Sequence, residues 1–148
     1  MTRIEQYCTF TIGGLHLGVP VQGVQEVIRY QELTRVPLAA AEVRGLINLR
    51  GQIVTAVDLR KKLGLGERSE EERPTNVVLR RDDGAVSLLV DEIGDVLEVS
   101  EDAWEPAPRT LKGGTRELIS GVYKLEKGLL LVLDADKALA VEARSEVA

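Results

Sequence analysis

The sequence is poor in the residues that most often carry catalysis or covalent cross-links. Its 148 residues include one cysteine, Cys8, and one histidine, His16, and aromatic residues make up only 3% of the chain. A lone cysteine excludes an internal disulfide and fits a reducing compartment such as the cytoplasm. A lone histidine argues against histidine-based metal sites and acid–base catalysis. We therefore expect Cys8 to lie in the core and His16 to be an ordinary strand residue.

Long apolar runs and positive charge are also missing. No apolar run approaches the roughly 20 residues of a membrane span, and residues 1–6 lack the apolar centre of a signal peptide. The formal net charge of −5 argues against a nucleic-acid partner. These absences predict a cytoplasmic protein with no direct membrane insertion and no binding of nucleic acid.

Motifs for catalysis, metals and cofactors are absent as well. Ser87, Ser100 and Ser120 lie in no nucleophile-elbow motif. Residues 112–115 (Lys-Gly-Gly-Thr) resemble part of a phosphate loop, but the preceding glycine is missing at the required spacing, so we expect a mobile loop. Without a metal-ligand spacing elsewhere, the sequence predicts no enzyme activity, no cofactor and no metal.

What the chain does have is a series of short alternating segments separated by turn residues, within a composition that is 44% hydrophobic. Predicted strands cover residues 6–12, 15–19, 46–49, 53–57, 76–81, 85–90, 93–99, 118–125 and 129–133. Predicted short helices cover residues 59–63, 100–104 and 135 to about 143, capped by Asp58, Ser100 and Asp134. Residues 21–28 have helical spacing, but their β-branched valines leave a strand or turn open. Trp104, followed by prolines, is expected to be a core plug at a helix end or, alternatively, an interface anchor.

The two halves of the chain are similar to each other. Residues 45–58 align with residues 121–134 without a gap, and residues 21–27 resemble residues 93–99 at nearly the same offset. We interpret this as a unit of roughly 70 residues that occurs twice. Two copies are too few for a solenoid. Chance similarity between apolar hairpins is the alternative.

The duplication predicts a mainly β fold of two tandem five-stranded barrels packed around a shared aliphatic core. The first would cover residues 1–70, with an N-terminal strand that the second barrel can share. The second would cover residues 75–148 and include a C-terminal helix. Residues 66–74 form the most polar segment and are expected to be the exposed linker.

One residue, Arg50, is not explained by the predicted fold. The turn between predicted strands 46–49 and 53–57 favours glycine, asparagine or aspartate, which tolerate positive φ, and Gly51 meets that demand. Arg50 does not, and the second copy has Glu126 at the aligned position. An arginine at this turn therefore needs a reason other than the turn itself.

The residues around Arg50 carry a resemblance that extends from about Tyr7 to Leu139. The motif is Asn48-Leu49-Arg50-Gly51, followed by Ile53-Val54 and Val57-Asp58-Leu59-Arg60, with further matches at Val24-Gln25-Glu26-Val27 and in residues 90–97. In these residues the chain resembles CheW, the coupling protein family of bacterial chemotaxis. The resemblance implies two five-stranded SH3-like barrels and a non-enzymatic adaptor. Such adaptors couple the cytoplasmic tip of methyl-accepting chemoreceptors to the regulatory, CheW-like domain of the histidine kinase CheA, within membrane-associated receptor arrays.

Carried over residue by residue, the resemblance implies a receptor-binding set. Its members are Val24, Glu26, Val27, Gly45, Arg50 and Val96. We hypothesise that Arg50 forms a forked ion pair with Glu26 at the edge of a groove between the barrels. Val24 and Val96 would form the apolar floor of that groove. An exposed ion pair with no further role is the alternative.

Other functions stay open at this point. A CheW-like adaptor could serve another chemosensory system, such as pilus-based motility or another kinase pathway. A double-barrel ligand-binding module is a second alternative, although the sequence lacks convergent polar groups for a small molecule. A small hydrolase is disfavoured by the single histidine and the absent motifs.

Overall fold

The computed structural model describes residues 3–37, 39–66, 72–82, 84–111 and 113–140, and these residues form a mainly β protein. Its strands are β1 (Ile4–Ile12), β2 (Leu15–Pro20), β3 (Val24–Ile28), β4 (Val43–Leu49), β5 (Gln52–Asp58), β6 (Thr75–Arg81), β7 (Gly84–Val90), β8 (Glu92–Ser100), β9 (Trp104–Pro106), β10 (Ile119–Leu125) and β11 (Gly128–Leu133). Its short helices are α1 (Leu59–Lys62), α2 (Gly113–Leu118) and α3 (Ala135–Leu139), with 3-10 turns at Val21–Gly23 and Glu101–Ala103.

The strands form two sheets. Sheet A has six strands in the order β8-β1-β2-β11-β10-β9, and sheet B has five in the order β3-β6-β7-β5-β4. Each sheet contains one parallel pairing, β11 with β2 in sheet A and β5 with β7 in sheet B. The other pairings are antiparallel. The predicted mainly β fold with two units of about five strands is confirmed.

The strand orders reveal how the repeat is built. The hairpin β1–β2 lies in sheet A between β8 and β11, whereas the hairpin β6–β7 lies in sheet B between β3 and β5. Each half of the chain therefore gives one hairpin to the sheet formed by the other half. The aligned repeats occupy corresponding places in the two sheets. On one side of the exchanged hairpin lies β8 in sheet A and β3 in sheet B. On the other side lies the hairpin β10–β11 in sheet A and the hairpin β4–β5 in sheet B.

This exchange crosses the predicted domain boundary. Hydrogen-bonded pairing connects strands on both sides of residues 70–75 in each sheet. The expected sharing of the N-terminal strand with the second unit is thus one part of a reciprocal exchange that also involves β6 and β7. Folding of residues 1–70 and 75–148 as separate domains stays a prediction.

A single aliphatic cluster joins the two sheets. Phe10 and Ile12 enter it from β1, and Val57 and Val77 enter it from sheet B; all four are fully buried. The predicted shared aliphatic core is therefore present. Sheet A also buries part of its opposite face, where a smaller cluster contains Tyr7, Tyr123, Leu130 and Val132. The β1 strand is consequently buried on both faces, which its alternating sequence did not predict.

A polar contact fastens the exchanged hairpin to its neighbours. Arg60 Nη1 lies 2.8 Å from Asp91 Oδ2, and the same carboxylate oxygen accepts a hydrogen bond from the backbone N–H of Gly13 at 2.8 Å. Gly13 belongs to the turn between β1 and β2, Asp91 precedes β8, and Arg60 lies in α1. The contact thus joins three segments that are distant in the sequence.

The predicted caps are largely confirmed. Asp58 accepts a hydrogen bond from the N–H of Lys61 at the start of α1, and Asp134 accepts one from Lys137 at the start of α3. Ser100 caps the 3-10 turn Glu101–Ala103. The two aspartates occupy aligned positions of the repeat but different surroundings. Asp58 is buried beside Arg44 at 3.5 Å, whereas Asp134 is half-buried.

Residues 21–28 form a 3-10 turn and then β3, the alternative that their β-branched valines left open. Two local predictions were wrong. Trp104 begins β9 instead of ending a helix, and it is 43% exposed, so it is not a core plug. Residues 113–115 begin α2 instead of a mobile loop, and Gly114 is small because a Cβ there would overlap the Lys62 carbonyl oxygen. Residues 67–71 of the predicted linker 66–74, and the end of the predicted C-terminal helix beyond 140, lie outside the described residues.

The unequal surroundings of the two caps lead to a matched comparison. We expect Asp134→Ala to lower the free energy of unfolding by about 1 kcal/mol, the usual cost of losing a helix N-cap. Asp58→Ala should cost about 2 kcal/mol, the upper end of that range, because it also leaves Arg44 without its carboxylate partner. Urea unfolding of both variants measures the difference. Equal losses would contradict the greater contribution assigned to Asp58.

Candidate functional site

The turn between β4 and β5 has an uncommon backbone. Leu49 pairs with Gln52, so Arg50 and Gly51 are the only two loop residues. Their φ angles are 51° and 85°, the positive values that type I′ hairpin turns require. The side chain of Asn48 supports the turn by accepting a hydrogen bond from the N–H of Gly51 at 2.9 Å. Within the described part of the chain, Arg50 is the only non-glycine residue with positive φ.

The Arg50 side chain reaches Glu26 and forms the predicted fork. Arg50 Nη1 donates to Glu26 Oε2 at 2.7 Å, and Nη2 donates to Oε1 at 2.6 Å. Two parallel charge-assisted hydrogen bonds fix the orientation of both groups as well as their separation. The Arg50 side chain is 72% exposed and the Glu26 side chain 18%. The pair therefore has a shielded carboxylate on β3 and a guanidinium facing solvent.

The Arg50–Glu26 fork also indicates that sheet B is curved. Its two partners belong to β3, at one edge of the sheet, and to the turn after β4, at the other edge. In a flat five-stranded sheet these edges would be about 19 Å apart, at about 4.8 Å per strand spacing. A separation of 2.6 Å between the side chains requires the sheet to curl until its edges approach. The Arg50–Glu26 pair thus bridges the opening of a barrel.

Electrostatics favour the charged form of both partners. The hydrogen bonds and positive charge of Arg50 lower the pKa of Glu26, while burial opposes this only in part. Glu26 in turn raises the pKa of Arg50. Because the guanidinium is exposed, solvent screens the attraction between the two charges. The pair therefore fixes the positions of the two side chains more than it stabilises the fold.

The predicted valines lie in three different settings. Val24 is half-buried on β3 and packs against the shared core, whereas Val27 on the same strand is exposed. Val96 lies on β8, opposite Cys8, and is 56% exposed. Val24 and Val96 occupy corresponding edge strands of different sheets. A common groove floor formed by these two valines therefore stays a prediction.

Gly45 lies beneath the surface. It is buried in β4, with φ of 154°, and a Cβ there would lie 2.6 Å from the carbonyl oxygen of Thr34. The close approach allows Thr34 and Leu46 to exchange backbone hydrogen bonds at 2.8 and 2.9 Å. Gly45 thus positions residues 33–34 against β4.

One exposed residue beside this turn was not predicted from the sequence. Ile53, next to the turn on β5, is 61% exposed, whereas Val54 beside it is fully buried. Alternation along β5 could have separated the outward positions Ile53 and Thr55 from the inward positions Val54 and Ala56. The signal was hidden because nearly all of these residues are apolar.

The remaining candidate residues are structural. Cys8 is buried, and burial raises the pKa of its thiol, which disfavours the reactive thiolate. His16 is half-buried in β2 opposite Thr11, as expected for a strand residue. Among residues the structure describes, none form a group of three or more side chains able to hold a metal. Within the same residues, no helix is long and apolar enough to cross a membrane.

Comparisons with known proteins show the family and the fold of this chain. A protein of Bacillus subtilis described as chemotaxis protein CheW is 32% identical over 139 residues, which cover 94% of this chain and 89% of that protein. A protein of Klebsiella aerogenes with the same description is 30% identical over 138 residues, which cover 93% of this chain and 83% of that protein. The crystal structure of the scaffolding protein TtCheW from Thermoanaerobacter tengcongensis has the same fold, with a TM-score of 0.80 at 23% identity over 89% of this chain and 90% of that one. A model of the CheW-like domain matches residues 6–143. The chain therefore belongs to the CheW-like domain family.

Proposed function

We propose that this protein is a non-enzymatic adaptor of bacterial chemotaxis, which couples the cytoplasmic tip of chemoreceptors to the histidine kinase CheA. Support comes from the relatives described as chemotaxis proteins and from a structural neighbour described as a scaffolding protein. In this proposal the protein is cytoplasmic and is recruited to membrane-associated receptor arrays.

The observation that carries the proposal is the exposed fork between Arg50 and Glu26. Arg50 adopts a backbone conformation that non-glycine residues rarely populate. Asparagine would form the same turn more readily, so the arginine side chain must serve another purpose. Unfavourable backbone geometry retained at an exposed position is typical of a functional site.

The receptor surface would be centred on this fork. Arg50 offers the guanidinium N–H groups that its two bonds to Glu26 leave free, and Val27 and Ile53 provide exposed apolar area nearby in the sequence. A receptor tip built as a helical hairpin could lay an apolar stripe beside such a charged anchor. Within the predicted receptor-binding set, Gly45 would act by supporting β4, and Val24 by positioning β3. Val96 would require the receptor to reach sheet A as well.

The kinase would bind through a second surface, because an adaptor must hold both partners together. Sheet A has its own edges at β8 and β9, separate from the fork on sheet B. Edge strands present unpaired backbone groups that invite pairing or close packing with another chain. A regulatory domain with the same double-sheet fold would suit barrel-to-barrel contact at such an edge.

A second candidate function, binding of a small molecule, rests on one cavity. A groove of about 720 Å³ opens on sheet A, within the size range of ligand pockets. Its lining is mostly leucine, at positions 15, 97, 111, 125, 129 and 131. The adaptor proposal predicts that native mass spectrometry of the purified protein gives only the mass of the chain. A tightly retained small molecule would favour the ligand-binding module instead.

Charge reversal at the turn tests the receptor surface. We expect Arg50→Glu to lower binding to a receptor-tip fragment at least tenfold, because it places two carboxylates face to face at the fork. The midpoint of thermal unfolding should change by only a few degrees, since the exposed pair adds little stability. Co-sedimentation with the receptor fragment and thermal unfolding measure the two effects.

Two further variants sharpen that test. Glu126→Lys reverses the charge at the aligned exposed turn of the second hairpin, and we expect it to leave receptor binding unchanged. The double variant Arg50→Glu, Glu26→Arg restores the ion pair with its ends exchanged. Recovery of binding in the double variant would assign the fork to barrel closure, and continued loss would assign Arg50 to direct contact. Unfolding of Arg50→Glu would contradict the functional assignment.

The fork must be charged at neutral pH for this function. Because Arg50 lowers the pKa of Glu26 in the folded state, the pair is intact above the ordinary glutamate value of about 4.3 and is lost only as pH falls through the lowered value. Titration of the Glu26 carboxyl carbon by NMR should give a midpoint below about 4.3, which returns toward this value in Arg50→Gln. An unchanged midpoint in the variant would contradict the coupling.

A further inference from the structure

A second polar surface lies on sheet A, away from the Arg50 turn. A cleft of about 470 Å³ forms where the first residues of β1 meet the end of β2, the 3-10 turn Glu101–Ala103 and strands β9 and β10. It is lined by Glu5, Tyr7, Pro20, Glu101, Trp104 and Tyr123. Three of the five aromatic residues in the chain thus meet two carboxylates in one place.

The indole of Trp104 is held by the strand beside it. Trp104 pairs with Tyr123 in the sheet, and its ring covers Gly121, where a Cβ would overlap three ring atoms. Gly121 is therefore small because the indole occupies the space of a side chain. Even so, Trp104 remains 43% exposed. The strand fixes the position of this ring and leaves much of it open to solvent.

The tyrosines provide a rigid inner wall. The Tyr7 and Tyr123 rings are both buried, with centroids 5.6 Å apart and planes tilted by 56°. Burial is the main cause that raises the pKa of Tyr7, followed by its interactions with Tyr123. The charges of Glu5 and Glu101 raise this pKa further. Both carboxylates therefore lie close enough to act on the same phenol group.

The two carboxylates of the cleft have no salt-bridge partner among the described residues. Glu5 and Glu101 are half-buried, and neither forms a salt bridge within that part of the protein. Lys124, on the neighbouring strand β10, pairs with Glu105 at 3.3 Å instead. An aromatic cleft with two carboxylates that have no salt-bridge partner there is complementary to a cation from elsewhere.

We propose that this cleft binds the side chain of an arginine from a partner protein. A planar guanidinium can stack on the exposed indole while its N–H groups donate to carboxylates, which a compact lysine ammonium does less well. The cleft is too open to enclose most of a free small molecule, as a ligand pocket would. It suits the end of one side chain that a partner surface presents. The assignment does not depend on the receptor surface at Arg50, since the two sites lie on different sheets.

The chain contains its own probe for this site, because Trp104 is its only tryptophan. We would titrate the full-length protein with N-acetyl-L-arginine methylamide and follow indole fluorescence. The neutral isostere N-acetyl-L-citrulline methylamide and the lysine analogue serve as matched probes. We expect a saturable change with the arginine probe at millimolar concentration, at least tenfold weaker binding of citrulline, and weaker binding of lysine. Equal responses to arginine and citrulline, a non-saturating response, or a preference for lysine would overturn the proposal.

Variants of the cleft residues test whether the fluorescence response to the arginine probe arises in the cleft. The double variant Glu5→Gln, Glu101→Gln should weaken the arginine response at least tenfold, whereas Glu98→Gln, an exposed carboxylate on β8 of the same sheet, should not change it. Gly121→Ala should displace the indole and abolish the response. Retained affinity in the double variant would overturn the proposal. Circular dichroism checks the fold of each variant, and the comparison of probes on the unaltered protein remains decisive if a variant fails to fold.

Discussion

The reciprocal exchange of two hairpins is the constraint on which this structure depends. Because β1–β2 lies in the sheet of the second half and β6–β7 in the sheet of the first, each sheet contains strands from both halves of the chain. The exchange places Phe10 and Val77 in one shared cluster and brings Asp91 beside Arg60 and the turn at Gly13. The two halves of a duplicated sequence thus contribute strands to both sheets.

The exchange also leaves each sheet with its own free edges, and the candidate partner surfaces lie there. On sheet B, the Arg50–Glu26 fork spans the two edges and presents a guanidinium to solvent. On sheet A, the edge strand β9 carries Trp104 above a cleft with two carboxylates. One surface therefore offers a cation and the other an anionic cleft. Two chemically distinct surfaces on separate sheets suit a protein that holds different partners at the same time.

Much of the local structure could be predicted from the sequence, because it depends on neighbours along the chain. Alternation located most strands, and the aspartates at 58 and 134 marked both helix caps. Arg50 could be singled out because an arginine in this turn has no local explanation, and the resemblance to the CheW family supplied Glu26 as its partner. Beyond a shared N-terminal strand, the hairpin exchange could not be predicted, since pairing partners such as Leu131 and Leu17 are over 100 residues apart. Trp104 was misplaced because the prolines after it are compatible with both a helix end and an edge strand.

The proposed adaptor role requires the protein to hold receptor and kinase together. Its most direct test is a calorimetric titration of this protein into the regulatory domain of CheA from the same organism, performed with and without a saturating receptor-tip fragment. We expect saturable binding to the kinase domain that persists when the receptor fragment is present, because the two partners would use different sheets. Absence of binding at high micromolar concentration, or displacement of the kinase domain by the receptor fragment, would contradict the account.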